Sequence, residues 1–163
     1  IEKVIPLLEE RYIYLIAGYG KEYKEIKNLI KKMRVFNRVK VLGSVSNDCL
    51  ELLYRYSDMF VSPNIKIKND IEGFGIVNIE ASFRGLPVIA SNVDGIPDAI
   101  KNNKNGFLVK EKEAKEFLIT IENYFKLNSF DKKKLAKKYS NYTSNNYSWD
   151  KIIYSYVDLI NTI

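Results

Sequence analysis

The sequence predicts an α/β domain, a Rossmann-like parallel sheet flanked by helices. Short apolar runs of strand length alternate with amphipathic runs of helix length from end to end, the pattern left by successive crossover connections. Gly18-Tyr19-Gly20, Val45-Ser46, the loop from 62 to 75 and Asn92 to Gly95 fall where strand runs give way to helices. Those are the carboxyl ends of the strands, where open parallel sheets gather their ligands. The 163 residues, 46% hydrophobic and 28% charged, suffice for one packed core, with neither an internal repeat nor a dividing linker.

The elements follow in order. Tyr12 to Ala17 (YIYLIA) reads as a buried strand closed by glycine, and Lys21 to Met33 as a helix with Tyr23, Ile26, Leu29, Ile30 and Met33 at helical spacing. Arg38 to Leu42 is a second strand. Ser46 or Asn47 caps a helix bearing Leu50, Leu53 and Tyr54; Met59 to Val61 is a short strand leading into the loop SPNIKIKND. Gly75 to Arg84 is a helix, because Gly85 and Pro87 supply its stop. Pro87 to Ala90 is a strand, a short helix follows Gly95, and Phe107 to Val109 is another strand. Helices are expected near Lys112 to Leu127, Asp131 to Tyr139 and Trp149 to Ile160, with SNYTSNNYS (140–148) as a surface crossover. Tyr12, Tyr14, Tyr54 and Tyr56 are assigned to core packing rather than to stacking on nucleic acid.

Composition narrows the chemistry. The chain has no histidine, which removes histidine-based triads and HExxH zinc sites, and the lone Cys49 builds neither a disulfide nor a metal site. Twenty-six Lys and Arg against 20 Asp and Glu give a net charge of +6, a modest attraction for phosphates or anionic surfaces. No apolar run of membrane-spanning length and no signal peptide is visible, so a cytoplasmic location is expected, with possible peripheral contact at the inner face of a membrane. DKKKLAKKY (131–139) could lie against anionic lipid, although a solvated helix face is the simpler reading.

The stretch IEGFGIVNIEASFRGLPVIAS (71–91) carries two carboxylates in an apolar setting. A helix starting at Gly75 offers unpaired N–H groups and the positive end of its dipole, and Gly73 and Gly75 let a phosphate approach the backbone. Glu80 lies about 7.5 Å along the axis at 1.5 Å per residue, with its side chain tilted back toward that end. It is placed to accept hydrogen bonds from ribose hydroxyls, while Glu72, before the turn, suits a second polyhydroxylated group such as a sugar. Spacing alone leaves another reading open, in which Glu80 is an ordinary helix residue paired with a lysine. No GxGxxG fingerprint is complete, since Tyr23 holds the place of its third glycine, and no GxxxxGK loop exists.

Glu72-Gly73-Phe74-Gly75-Ile76-Val77-Asn78-Ile79-Glu80-Ala81, followed by Gly85 and Pro87 to Ala90, resembles the motif of retaining family 4 glycosyltransferases of the GT-B fold, in their carboxyl-terminal, donor-binding domain. LIAGYG (15–20), VLGSV (41–45), ELLYRYSDMFVSPN (51–64), DGIPDAI (94–100), NGFLV (105–109) and YSWDKI (147–152) agree in order. The resemblance implies that Glu72 is the catalytic-site residue against the transferred sugar and Glu80 holds the donor ribose. It places Gly73, Phe74, Gly75 and Ile76 around the distal phosphate, and Gly18, Tyr19, Val45 and Ser46 beside the base and nucleoside. It further implies a nucleoside-diphosphate sugar as donor, no metal and no cofactor, and a glycan or lipid-linked acceptor of the kind used in cell-surface polysaccharide synthesis. The domain's first strand and the amino-terminal acceptor domain are expected to lie outside these residues, so that the chain alone binds a nucleoside diphosphate weakly and transfers nothing. Trp149 is expected to anchor the last helix to a domain, in a region that the resemblance has crossing toward the missing half. Tyr19 and Lys21 depart from the acidic residue and the proline usual in the family, as do Pro63-Asn64 and the long loop Ile65 to Ile71. An epimerase or phosphorylase of the same architecture, or a non-catalytic nucleotide- or partner-binding domain, is the alternative.

Overall fold

The computed structural model describes residues 1–67 and 73–161. A short 3-10 turn, Ile5–Leu7, precedes β1 (Tyr14–Ala17), α1 (Tyr23–Lys32), β2 (Val39–Gly43), α2 (Asn47–Tyr56), β3 (Phe60–Ser62), α3 (Ile76–Phe83), β4 (Val88–Asn92), α4 (Ile96–Ala99), β5 (Phe107–Lys110), α5 (Ala114–Lys126), α6 (Ser129–Tyr147) and α7 (Trp149–Asn161). All strand pairing within the two sheets is parallel. β1 pairs with β2, setting Tyr14 opposite Val39 and Ile16 opposite Val41. The second sheet has the order β3-β4-β5, with Val61 opposite Ile89 and Ile89 opposite Phe107. The expected single sheet is thus divided: among the described residues no hydrogen-bonded pairing joins β1 to β3.

One core nevertheless spans both sheets. Val39 of β2, Ile89 of β4, Val109 of β5, Ile30 of α1, and Phe117 and Ile121 of α5 form one buried cluster, with Ile16 and Val61 packed against it. The other face of β4 sends Val88 and Ala90 into a second cluster with Tyr54, Ala81, Ile96 and Ile100. An apolar run such as Val88-Ile89-Ala90 is therefore buried on both faces, as the central strand of a parallel sheet requires. Complete burial of a side chain like Ile89 contributes about 1.5–3 kcal/mol of transfer free energy.

Two expectations are corrected. Residues 140–147 are not a crossover but the last two turns of α6. Their Asn, Ser and Thr residues, which favour turns when left to local bonding, are held helical by tertiary partners: Thr143 is completely buried, Ser140 Oγ donates to Phe83 O at 2.6 Å, and Tyr147 OH donates to Asp98 O at 2.6 Å. Trp149, at the start of α7, is 78% exposed, and the main packing of α7 is against α6. Tyr56, two residues beyond the buried Tyr54 and so on a different face of α2, is exposed. No described helix is long and apolar enough to cross a membrane.

Candidate functional site

The loops after β3 and β4 meet where α3 begins. Gly75 is the N-cap of α3 at φ 67 and ψ 57, a left-handed conformation that disfavours side chains, and the Asn78 N–H turns back to Gly75 O at 2.9 Å. Gly95, at the end of the turn following β4, touches the same place: a Cβ there would collide with the Gly73 carbonyl oxygen. Phe74 is fixed from the other side, its ring 5.8 Å from that of Tyr147 at the end of α6. Two glycines and an aromatic clamp thus set the entry to a helix whose first-turn N–H groups have no partner within the helix.

Glu80 lies one turn further on and is half-buried. Tyr54 OH, from α2, donates to Glu80 Oε2 at 3.0 Å. Burial, with the carboxylate as acceptor, pushes the Tyr54 phenol well above the usual tyrosine range, so it stays protonated and remains a donor. Arg84 sits at the i+4 position where a helical ion pair with Glu80 would be expected, but its side chain turns away. Its Nε donates to Glu51 Oε2 at 2.7 Å, its Nη1 donates to the Glu80 backbone carbonyl at 2.9 Å, and its guanidinium lies 4.9 Å from the Tyr54 ring centre. The hydrogen bond from Arg84 holds the Glu51 carboxyl below its ordinary value. Among the described residues no lysine or arginine side chain pairs with the Glu80 carboxylate. The carboxylate is oriented by a phenol, with acceptor capacity left on its other oxygen.

The remaining expected residues separate. Gly18 lines an open cleft of about 420 Å³ with Ile16, Lys21, Tyr23, Val41 and Ile67, at the carboxyl end of β1. Tyr19 is exposed and stacks on Tyr23 at 4.8 Å between ring centres. Ser46 is engaged as the N-cap of α2, its Oγ accepting from Cys49 N at 3.2 Å. Neither Ser46 nor Val45 lines the cleft, and Gly73 to Ile76 and Glu80 lie apart from it as well. Glu72 falls outside the described residues. Tyr54 and Arg84 are neighbours of Glu80 that the sequence reading does not assign to the site; the i+4 spacing of Arg84 from Glu80 is the available signal.

Fold and turn define a class first: an open parallel α/β domain whose glycine-bearing loops gather at the carboxyl ends of its strands. More specifically, the chain belongs to the glycosyl transferases group 1 family, whose model matches residues 2–146, and its fold is that of the carboxyl-terminal half of GT-B glycosyltransferases. It is 35% identical over 97 residues to a GDP-mannose-dependent alpha-(1-6)-phosphatidylinositol monomannoside mannosyltransferase of Mycobacterium tuberculosis, covering 58% of this chain and 25% of that protein. A crystal structure of Anabaena Alr3699/HepE in complex with UDP superposes with a TM-score of 0.80 at 22% identity, over 96% of this chain and 43% of that one. The crystallised C-terminal domain of a glycosyl transferase group 1 family protein (LpcC) from Francisella tularensis gives a TM-score of 0.64 at 19% identity, over 83% of this chain and 87% of that domain. The chain spans about a quarter of the length of the first curated relatives it matches.

Proposed function

We propose that this chain is the donor-binding domain of a retaining glycosyltransferase that moves a sugar from a nucleoside-diphosphate sugar to a glycan or lipid-linked acceptor. One observation carries the reading: α3 opens at a left-handed glycine, and Glu80, held by the Tyr54 phenol instead of a cation, stands on the same helix. On this reading the diphosphate meets the first-turn N–H groups at Gly75 and Ile76, with Gly73 and Phe74 shaping the approach. Glu80 takes the ribose hydroxyls through its unengaged oxygen. Gly18 and Tyr19, with the cleft beside them, receive the nucleoside, and Val45 and Ser46 contribute through backbone, since the Ser46 hydroxyl is already committed to its cap. Glu72 is assigned to the transferred sugar by the motif alone.

The chemistry follows from charge. The bond from the anomeric carbon to the distal phosphate oxygen breaks, the acceptor oxygen bonds to the same face of that carbon, and the departing phosphate oxygen takes the acceptor's proton. Helix-terminal N–H groups aimed at the developing negative charge lower the barrier without a metal ion. The acceptor is read by parts of the longer protein, in keeping with the fraction of its relatives that this chain spans. Among the described residues β1 and β3 each leave one edge unpaired, which supports a further strand contributed from there.

Calorimetry with UDP, GDP and ADP, on the wild-type chain and on Glu80→Gln, tests the reading. One nucleotide should bind, and its dissociation constant should rise about tenfold in the variant, as expected for a lost charge-assisted hydrogen bond. Equal affinity in both proteins would sink the assignment of Glu80.

A further inference from the structure

The polarity of α3 is inverted. Asn78 and Ser82, one turn apart, face inward beside Ala81, whereas Ile76, Val77 and Phe83 are turned outward. Packing alone would place the isoleucine and valine in the core. The two inward polar residues also differ in what they meet. Ser82 Oγ donates to Asn105 O at 2.8 Å and lies 2.7 Å from Thr143 Oγ1. Asn78 is 1% exposed, yet neither its Oδ1 nor its Nδ2 has a hydrogen-bond partner among the described residues. A buried, unpaired carboxamide is destabilising, and native structures retain few of them.

Its position gives it meaning. A Cβ on Gly75 would lie 2.6 Å from Asn78 Nδ2 and 3.6 Å from Ile96 Cγ1. The carboxamide therefore fills the volume directly beneath the N-cap, on the inner side of the Gly73–Gly75 turn. Two donors and an acceptor are held without partners at the point where α3 presents its own first-turn N–H groups.

We propose, resting on the donor-site reading above, that Asn78 is a positioning residue for the diphosphate. When the anion takes the first-turn N–H groups, the Gly73–Gly75 turn settles onto Asn78, and backbone groups of the turn take up the hydrogen bonds of the carboxamide. The ligand stays on the outer side, and Asn78 acts through the turn. Part of the affinity for the diphosphate then comes from satisfying an amide that is otherwise unpaired.

The prediction is a trade of stability against binding, tested on the full-length protein with Asn78→Leu, which keeps the four-atom branched frame of the side chain and removes the polar atoms. Without ligand, the variant should melt at or above the wild-type temperature, because removing an unpaired buried amide relieves its desolvation cost. Calorimetry with UDP, GDP and ADP should show the dissociation constant of whichever diphosphate the wild type binds rising about tenfold, while the matching nucleoside without phosphates binds both proteins alike. In wild-type protein labelled with nitrogen-15, the Asn78 side-chain amide resonance, assigned by its absence from the variant, should shift and gain exchange protection at saturation. Unchanged diphosphate affinity, a melting temperature well below wild type, or a resonance that stays put at saturation would each overturn the proposal and leave the donor-site reading standing. A wild-type protein that binds none of the three diphosphates would overturn both.

Discussion

The two ends of α3 are built on opposite plans. At its carboxyl end every polar group noted is spoken for: Asn105 Nδ2 reaches Thr143 Oγ1 at 3.3 Å, Thr143 and Ser82 hydroxyls pair, Ser82 donates to Asn105 O, and Ser140 Oγ caps Phe83 O. Gly85 and Leu86 N–H groups return to Ser82 and Ala81 carbonyls at 2.9 and 3.1 Å. At its amino end Gly75 carries no side chain, and Asn78 holds a carboxamide with no partner among the described residues. Closed networks rigidify, whereas an unpaired buried polar group is costly. One eight-residue helix thus joins a structural anchor to the edge proposed to bind the diphosphate, and substitutions at its two ends should separate stability from affinity.

The largest effect is expected at the anchored end. Asn105 Oδ1 accepts from Lys101 N at 2.7 Å, and its Nδ2 also donates to Ala99 O at 2.9 Å. Asn105→Ala leaves these buried groups unpaired and should cost about 3 kcal/mol. That corresponds to a fall of about 6–12 °C in melting temperature for a domain of this size. Nucleotide affinity of the protein that remains folded should change less than about twofold. Calorimetric melting combined with binding below the transition measures both.

Gly75→Ala should show the reverse balance. Forcing a side chain into the left-handed region costs about 1–2 kcal/mol, and the new methyl meets the Asn78 carboxamide. Diphosphate affinity should fall by more than about tenfold, because the turn that aims the first N–H groups is displaced. If affinity and stability fell together in Asn105→Ala, or stability alone in Gly75→Ala, the division of α3 into anchor and edge would be lost.

What the sequence revealed of this division depends on range. Gly75 and Gly85 punctuate α3 in the chain itself, so its ends are legible to within a residue, and the Ser46 cap is equally local. Strand limits moved by one or two residues, as at β1, where Tyr12 and Ile13 stand before the first ladder residue. The second half of α6 was illegible because its Asn, Ser and Thr residues favour loops locally and are overruled by Asn105, Phe83 and Asp98, 38 or more residues away. The Tyr54 bond to Glu80 spans 26 residues between two helices. Periodicity places both residues on inner faces but not against each other. The burial of Asn78 rather than Ile76 contradicts hydrophobic patterning outright, and such contradictions are expected at functional or strained positions.

A smaller effect is expected at Tyr54→Phe, which tests whether the edge extends to Glu80. The phenol bond to Glu80 is lost while the ring keeps its place under the Arg84 guanidinium and 6.0 Å from Phe60. Stability should fall by about 1 kcal/mol. Nucleotide affinity should fall roughly threefold as the carboxylate loses its fixed orientation, less than in Glu80→Gln, where the charge itself goes. Calorimetric titration of the two variants side by side gives the ranking, and an affinity loss in Tyr54→Phe matching that in Glu80→Gln would make the phenol a direct contact.

The smallest effect belongs to Tyr139→Phe, and it is the control for Asn78. Tyr139 is completely buried in α6, its ring 5.8 Å from that of Phe107 at the start of β5, and its hydroxyl also lacks a partner among the described residues. It lies at the amino end of that strand, away from the helix entry, so an unpaired polar atom there has no ligand to wait for. Removing it should leave nucleotide affinity unchanged and hold stability at neutral pH within about 1 kcal/mol of wild type, on the favourable side. Burial raises the Tyr139 phenol well above the ordinary tyrosine value, and the same direction holds for Tyr14, Tyr54, Tyr124 and Tyr147. Below the ordinary value of about 10, folded and unfolded chains are both protonated; above it the unfolded chain ionises first. Stability is therefore lost as pH climbs through the raised folded values, and the advantage of Tyr139→Phe should widen from about pH 10 upward. Urea unfolding at neutral pH and above pH 10 reads this directly. A loss of nucleotide affinity in Tyr139→Phe as large as that in Asn78→Leu would mean that any unpaired buried group in this core weakens binding, and the contrast between the two ends of α3 would explain nothing.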